Sequence, residues 1–590
     1  MGKQASHTLL DNTPKIPQIY LACLALVVGL VAGFGAVVFR DMIGLVHNLA
    51  FMGKFSFQYD ANFHTPNVLG PWVILVPVVG AVIVAWLVGN FAPEAKGHGV
   101  PEVMGAIYHG KGRIRARVAV IKSLASSISI GTGGSVGREG PIVQIGSAFG
   151  SVLGFLVAMP ARQRNVLVAA GAAGGVAATF DTPIGALAFA MELMLVSVSA
   201  ETLVPVVVSV VIATYIGRVF WGVFPAFNIT ALTIPDTRLM QPWILFSFVP
   251  FGILLGFLSL ITVKGIYWFE DVFERIPGNY YTRHMLGMFL VGLMIYGFMY
   301  MTGHYYIQGV GYATINDILQ SVLTHPSLLL LLCGAKLIAT GLTLGSGASG
   351  GVFSPSIFIG ATFGGMFGLV LQKVFPGLGY SPVAFAIAGM AGMIGGATGA
   401  VLTAVTMVLE MTADVSVVLP VIISTALAYG IRKYYCNESI YTLKLLRRGE
   451  LLPEGLQAAV AQAQRPSNVM NTEFVVLDKQ AVEADRALLL APDKKLRIFI
   501  SDHDKIIGFI GTHATEKLAS AELDTLIRTN VTTVQQHTDI PSMLRAMDGD
   551  NTRTLIVSKR FGSLRQQDMV GFIGRQELID AFAHSTWLLV

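Results

Sequence analysis

Long apolar runs broken by short polar stretches fill the first three quarters of the chain, and then the pattern changes once. The run from Ile19 to Phe39 follows a polar segment, residues 1–17, and is too long for a signal-peptide core. It predicts a retained first membrane span, since a helix of about 20 residues crosses the hydrocarbon core. Pro71 to Val88 predicts a second. Beyond it the apolar segments are interrupted by glycine and almost without charge. Between residues 331 and 430 only Lys336, Lys373, Glu410 and Asp414 ionise. Segments of about 12–18 residues are too short for simple spans and predict the broken helices of transporters, whose ends face a buried site.

After Ile431 a basic collar follows, Arg432, Lys433, Lys444, Arg447 and Arg448. With the run Lys111, Arg113, Arg115 and Arg117, it belongs in the cytoplasm by the positive-inside rule. Residues 446–590 then read as soluble α/β. The strand-like runs 497–500 and 554–557 are each followed by a second, 507–511 and 570–574, and by a helical stretch, Lys517–Ile527 and Gln576–Phe582. Two copies of one small unit are expected.

The membrane part repeats itself. Residues 122–154 match 336–368 without a gap: Lys122 falls on Lys336, Gly137 on Gly351, Pro141 on Pro355 and Gly146 on Gly360. A second pairing puts Gly171 on Gly389 and Glu192 on Glu410, so the repeats centre on 122–192 and 336–410. Matching broken helices in two halves point to a binding site at their interface near the midplane. The sequence leaves open whether the halves are parallel or inverted.

Composition agrees with a polytopic membrane protein: 53% of the 590 residues are hydrophobic and 13% charged. A net charge of +5 gives no case for nucleic acid, and Cys23, Cys333 and Cys436 are too scattered for a disulfide framework or a metal site. The membrane half has no nucleophile–base pair and no nucleotide loop, which argues against an enzyme. Amide-rich helix starts, in place of rings of carboxylates, argue against a cation pathway.

The conspicuous chemistry is Gly137-Arg138-Glu139-Gly140-Pro141. Pro141 suits the first turn of a helix, which puts the preceding amides at the positive end of a helix dipole, where anions are stabilised. An ionised glutamate at mid-bilayer costs about 3 kcal/mol or more and needs a reason. A carboxylate at such amides can occupy the place of a dissolved anion, which makes Glu139 a candidate gate. In the matching segment Val352-Phe353 stands for Arg138-Glu139. One half therefore offers bare amides and the other amides with a carboxylate.

Gly137–Pro141, Gly351-Val352-Phe353-Ser354-Pro355, Gly97-His98-Gly99-Val100-Pro101 and Tyr441 resemble, in order and spacing, the signature segments of the CLC chloride channels and chloride/proton exchangers, over residues 18–445. The tail, 446–590, resembles a CBS domain pair. The resemblance implies an all-α polytopic domain of two inverted repeats, a homodimer with one anion pathway per subunit, and bound chloride ions. Carried over, the amides of Val352 and Phe353 and the Tyr441 hydroxyl hold a central anion. The amides of Arg138, Glu139 and Gly140 line an outer site that the Glu139 carboxylate can fill, and Gly97, His98 and Gly99 border an inner one. Without the motif order, Tyr441 would read as an interfacial anchor.

Two departures stand out. His98 replaces the usual serine, and it either senses pH beside the anion or serves as a satisfied histidine capping a helix. Leu193 takes the place of the inner proton-transfer glutamate, with Glu192 beside it. Glu192 and Glu410 read as structural helix-end groups, Glu192 also as a possible member of a proton path. Lys122 and Lys336 read as charges tuning the pathway potential, and Arg138 as a local electrostatic partner. The expected function is passive gated chloride conduction, opened in acid as Glu139 is neutralised. The alternative is chloride/proton exchange through an inner donor other than position 193. The expected setting is a bacterial inner membrane with both termini cytoplasmic. The CBS-like pair is expected to bind an adenine nucleotide or to serve assembly alone.

Overall fold

The computed structural model describes residues 15–223, 226–227, 239, 241–450, 469–485, 497–510, 523–535, 543, 547, 554–559 and 564–574. The chain divides into two compact units, Met1–Leu452 and Pro453–Val590.

Among its described residues the first unit is built of helices joined by loops, with no β-strand. Seven of these helices are long and apolar enough to cross a membrane: Gln18–Met52, Gly70–Phe91, Ala200–Trp221, Pro242–Arg275, Tyr280–Thr302, Pro326–Ser346 and Phe353–Val374. The first two contain the runs expected to span. Pro326–Ser346 and Phe353–Val374, at 21 and 22 residues, correct the expectation that this glycine-interrupted stretch breaks into short pieces. Glycine weakens a helix in water, where it exposes backbone. Here it lets helices approach backbone to backbone, and the packing holds the helix together.

Two such approaches are repeats of each other. A Cβ on Gly171 would lie 2.6 Å from the Gly146 carbonyl carbon, joining Glu139–Leu156 to Ala161–Phe180. A Cβ on Gly389 would lie 2.9 Å from the Gly360 carbonyl carbon, joining Phe353–Val374 to Pro382–Thr398. Helices that are short do occur, Pro183–Phe189, Val401–Thr412, Val100–Tyr108 and Tyr312–Leu319 among them.

Polar contacts repeat in the same way, each residue of one half bonding the mate of its own partner in the other. The Glu192 carboxylate accepts the amides of Leu402 and Thr403, each at 2.8 Å, and the Glu410 carboxylate accepts those of Ile184 and Gly185 at 2.9 and 2.7 Å. Ser126 bonds Ser349 at 2.9 Å, while Ser135, the mate of Ser349, bonds Thr340 at 3.4 Å. Gly137 and Gly351 pair with each other, N–H to C=O in both directions, at 2.8 and 2.7 Å. A residue that pairs antiparallel with its own repeat mate marks a two-fold axis, as in an isologous interface. The halves are inverted repeats, and the question the sequence left open is decided.

The second unit contains two small sheets of one design. In the first, Phe474–Asp478 runs parallel to Arg497–Asp502, which forms a hairpin with Lys505–Ile510; the short strand Ile527–Arg528 completes the edge. In the second, Val531–Gln535 runs parallel to Thr554–Ser558, which pairs antiparallel with Met569–Gly574. Both carry a register shift after the third hydrophobic residue of the middle strand, at Ile500/Ser501 and Val557/Ser558. Phe499 and Phe572 join the sheets at 5.6 Å between ring centroids. The first strand of each sheet escaped the sequence reading. Of the helical stretch expected at Lys517–Ile527, Leu523–Leu526 is helix and Ile527 begins a strand; 517–522 and Gln576–Phe582 lie outside the described residues.

Candidate functional site

Three loops meet at the pseudo-two-fold axis. Besides the Gly137–Gly351 pair, Gly97 N–H donates to Ala348 O at 3.0 Å, and Gly350 N–H donates to Gly97 O at 3.3 Å. Gly97 and Gly99 have φ of +84° and +88°, the left-handed region that a side chain strains, so glycine is needed to turn this loop into helix Val100–Tyr108. A Cβ on Gly99 would meet the Gly140 carbonyl carbon at 2.9 Å, and one on Gly140 would collide with the His98 carbonyl. Helices Glu139–Leu156 and Phe353–Val374 both start at this junction, capped by Arg138 and Val352. Gly97, His98, Gly99, Arg138, Glu139, Gly140, Val352 and Phe353 are therefore brought together by the fold.

The Glu139 side chain is 5% exposed. Its Oε1 accepts the hydroxyl of Ser354, and its Oε2 is buried without a hydrogen-bond partner. Oε2 lies over the α carbons of Gly137 and Gly351, and a Cβ on Gly351 would stand 2.8 Å from it. Any side chain at either position would displace the carboxylate. Tyr441, 2% exposed, and Lys336, fully buried, are both within electrostatic reach of Glu139. Tyr441 stands at the start of helix Thr442–Arg447.

Arg138 sends its guanidinium away from the carboxylate, between the rings of Phe180 and Tyr312 at 5.4 and 5.3 Å, and donates to Thr179 O at 3.4 Å. It fills the place of a stacked cation beside the site. Tyr312 closes the circuit, because its hydroxyl lies 3.0 Å from that of Ser354. Ser354 and Tyr312 are the residues the sequence reading missed. A third stretch of the repeat would have found Tyr312: Gly309-Val310-Gly311-Tyr312 matches Gly97-His98-Gly99-Val100, with Gly309 and Gly311 also at positive φ, +53° and +81°.

The same match explains the two lysines. Lys122 donates to the carbonyls of Ala95 and Gly97 at 2.9 and 2.7 Å, and Lys336 to those of Ile307 and Gly309 at 3.0 and 2.7 Å. To the expected electrostatic role the structure adds a structural one: each is fully buried and ties down its own glycine loop. A buried amine with fixed carbonyl partners satisfies groups that would otherwise cost about 1–3 kcal/mol each.

His98 is 4% exposed, and its Nδ1 has no hydrogen-bond partner. It lines a cavity of about 190 Å³ with Lys96, Glu270, Lys444 and Arg448, a surface with more positive than negative charge. Glu102 braces this wall: its carboxylate accepts Gly99 N–H at 3.0 Å and lies 3.0 Å from both Lys444 and Arg448. Leu193 is buried in apolar packing. Both oxygens of Glu192 are committed to the start of helix Val401–Thr412, so the structure makes it a helix cap, the mate of Glu410.

A family model described as voltage gated chloride channel matches residues 80–433. An H(+)/Cl(-) exchange transporter ClcA of Vibrio cholerae is 32% identical over 477 residues, 78% of this chain and 94% of its own length. A chloride channel protein of the ClcB-like kind from Ralstonia nicotianae is 30% identical over 384 residues, 64% of this chain and 86% of that one. Among solved structures, a slow cyanobacterial Cl-/H+ antiporter superposes with a TM-score of 0.63 at 26% identity, over 74% of this chain and 99% of its own. A eukaryotic CLC transporter shares the fold alone, at TM-score 0.61 and 19% identity over 95% of this chain and 98% of its own. With these relatives, the inverted repeat and the helix starts at a buried carboxylate are those of an anion-transport protein. The chain belongs to the voltage-gated chloride channel family.

Proposed function

We propose that this protein exchanges chloride for protons across a membrane, with Glu139 as the group that alternately blocks the anion pathway and carries the proton. The observation that carries this reading is the Glu139 carboxylate itself, buried at the meeting of two helix starts and gripped by Ser354. In that place it competes with an anion for the same amides while ionised, and releases them once protonated. The relatives named as chloride/proton exchangers favour this over passive conduction, the reading the sequence alone preferred. Leu193 then requires the proton to reach Glu139 from the inner side by another route. Val352, Phe353 and Tyr441 are the proposed central anion site, and the cavity at His98 the proposed inner approach. A homodimer in a bacterial inner membrane, both termini cytoplasmic, with the CBS-like pair serving adenine nucleotide binding or assembly alone, completes the proposal.

The test uses purified protein in sealed liposomes with an outward chloride gradient and a pH electrode outside. Exchange predicts proton movement against its own gradient, driven by chloride and abolished by Glu139→Gln. Chloride efflux without it would establish the channel instead.

A further inference from the structure

The gate is connected to a pair of histidine rings in contact at the opposite face of the membrane from the basic collar. Arg447 of the collar pairs with Asp271 at 2.7 Å, which puts the end of helix Pro242–Arg275 on the collar's face. Helix Tyr280–Thr302 crosses back, so residues 303–311 lie on the other face. There the rings of His64, from the loop 53–69, and His304 lie 4.2 Å apart, with the edge of Tyr306 against both at 5.4 and 5.5 Å. His64 Nε2 is 2.6 Å from Asp317, on helix Tyr312–Leu319. That helix begins with Tyr312, whose hydroxyl meets Ser354, which in turn holds Glu139. Tyr59, His64 and Thr65 of the loop line one small cavity together with Tyr312.

We propose that His64, His304 and Asp317 form an acid-released latch, by which the loop 53–69 holds helix Tyr312–Leu319, and through Tyr312 and Ser354 the Glu139 carboxylate, in the blocked position. It rests on Glu139 being the gate. Asp317 is bonded to His64 and not to His304. Protons on both rings would set two cations 4.2 Å apart, with Asp317 bonded to His64 alone. The groups facing the pair are Asp317 and Tyr306, and Tyr306 has no negative charge to offer at neutral pH. Burial first, and then the charge of His64, lowers the pKa of His304 from 6.5, with Asp317 acting in the opposite sense. The latched form thus binds the proton less readily than the released form. Its stability is whole above pH 6.5 and falls as pH drops through the range below. Release slackens the Tyr312–Ser354 contact, and the carboxylate leaves the amides more easily.

The test measures chloride flux in liposomes with internal pH fixed and external pH stepped from about 7.5 to 5, a range spanning histidine titration. His304→Asn keeps a small polar side chain but cannot take the second proton. It should move the acid activation of flux by about one pH unit toward acid, a tenfold higher proton concentration. Asp317→Asn removes the counter-ion and should raise flux at neutral pH. In a Glu139→Gln background, where the gate is gone, neither change should alter the pH response. Wild-type pH curves in both single variants would overturn the latch while leaving the gate. An equal shift in the Glu139→Gln background would overturn the route through Ser354. A Glu139→Gln protein that still opens only in acid would overturn the gate, and the latch with it.

Discussion

At the two-fold axis the two halves of the membrane unit are built alike and equipped differently. Each supplies a glycine that pairs with its mate, a helix start at the junction, a lysine tying down a glycine loop and a glutamate capping the other half's short helix. Beside the Glu139 carboxylate the difference lies at three successive positions. Arg138, Glu139 and Gly140 in one half stand against Val352, Phe353 and Ser354 in the other. The repeat alone would give a symmetric anion cradle of amides. Replacing one apolar side chain by a carboxylate, and the facing glycine by a serine that bonds it, would make the cradle the gated site proposed above.

If this is right, substitutions at the axis should be one-sided, and substitutions in the scaffold should be matched. The largest effect belongs to the first class. Glu139→Gln should remove chloride-driven proton movement altogether, while Phe353→Leu changes anion flux and leaves the proton-to-chloride ratio intact; loss of the ratio in both would erase the distinction. Next come the twin glycine crossings. Gly146→Val and Gly360→Val each force a side chain into backbone, at a cost of about 3 kcal/mol apiece. Equal drops in thermal stability in detergent are expected, and a large inequality would show the halves to be unequal scaffolds.

Ser354→Ala takes one hydroxyl donor from the carboxylate. Flux at neutral pH should rise about tenfold, equivalent to roughly 1.4 kcal/mol of lost restraint. An unchanged rate would mean that Ser354 merely packs beside the gate. The smallest effects are expected from Glu192→Gln and Glu410→Gln. Each weakens one helix cap, by about 1 kcal/mol and by similar amounts, with proton coupling preserved. Coupling lost in Glu192→Gln alone would return that residue to the proton path.

Much of this was legible in the residues. The spans read at 19–39 and 71–88, the repeat, the Glu139 carboxylate, the paired glycine segments and the two-copy tail all leave a local or periodic trace. Other features left none. Glycines that end helices in a water-exposed chain run through the middle of Phe353–Val374, because a neighbouring backbone covers them. The third stretch of the repeat kept only two glycines and the geometry around them, so Tyr312 went unnoticed. Lys122 and Lys336 read as field-setting charges until their carbonyl partners, about 27 residues away in the chain, were in view.

By itself, the sequence determined that the chain lives in a membrane, that it folds as two related halves with a small α/β tail, and that one glutamate breaks the relation between them. Those are matters of composition, period and local chemistry. The sense of the repeat and the grip of Ser354 on Glu139 came from tertiary structure, as did the capping of each half's helix by the other's glutamate. All three join residues more than 200 positions apart, and only the closing of the two halves on one axis puts them within hydrogen-bond distance.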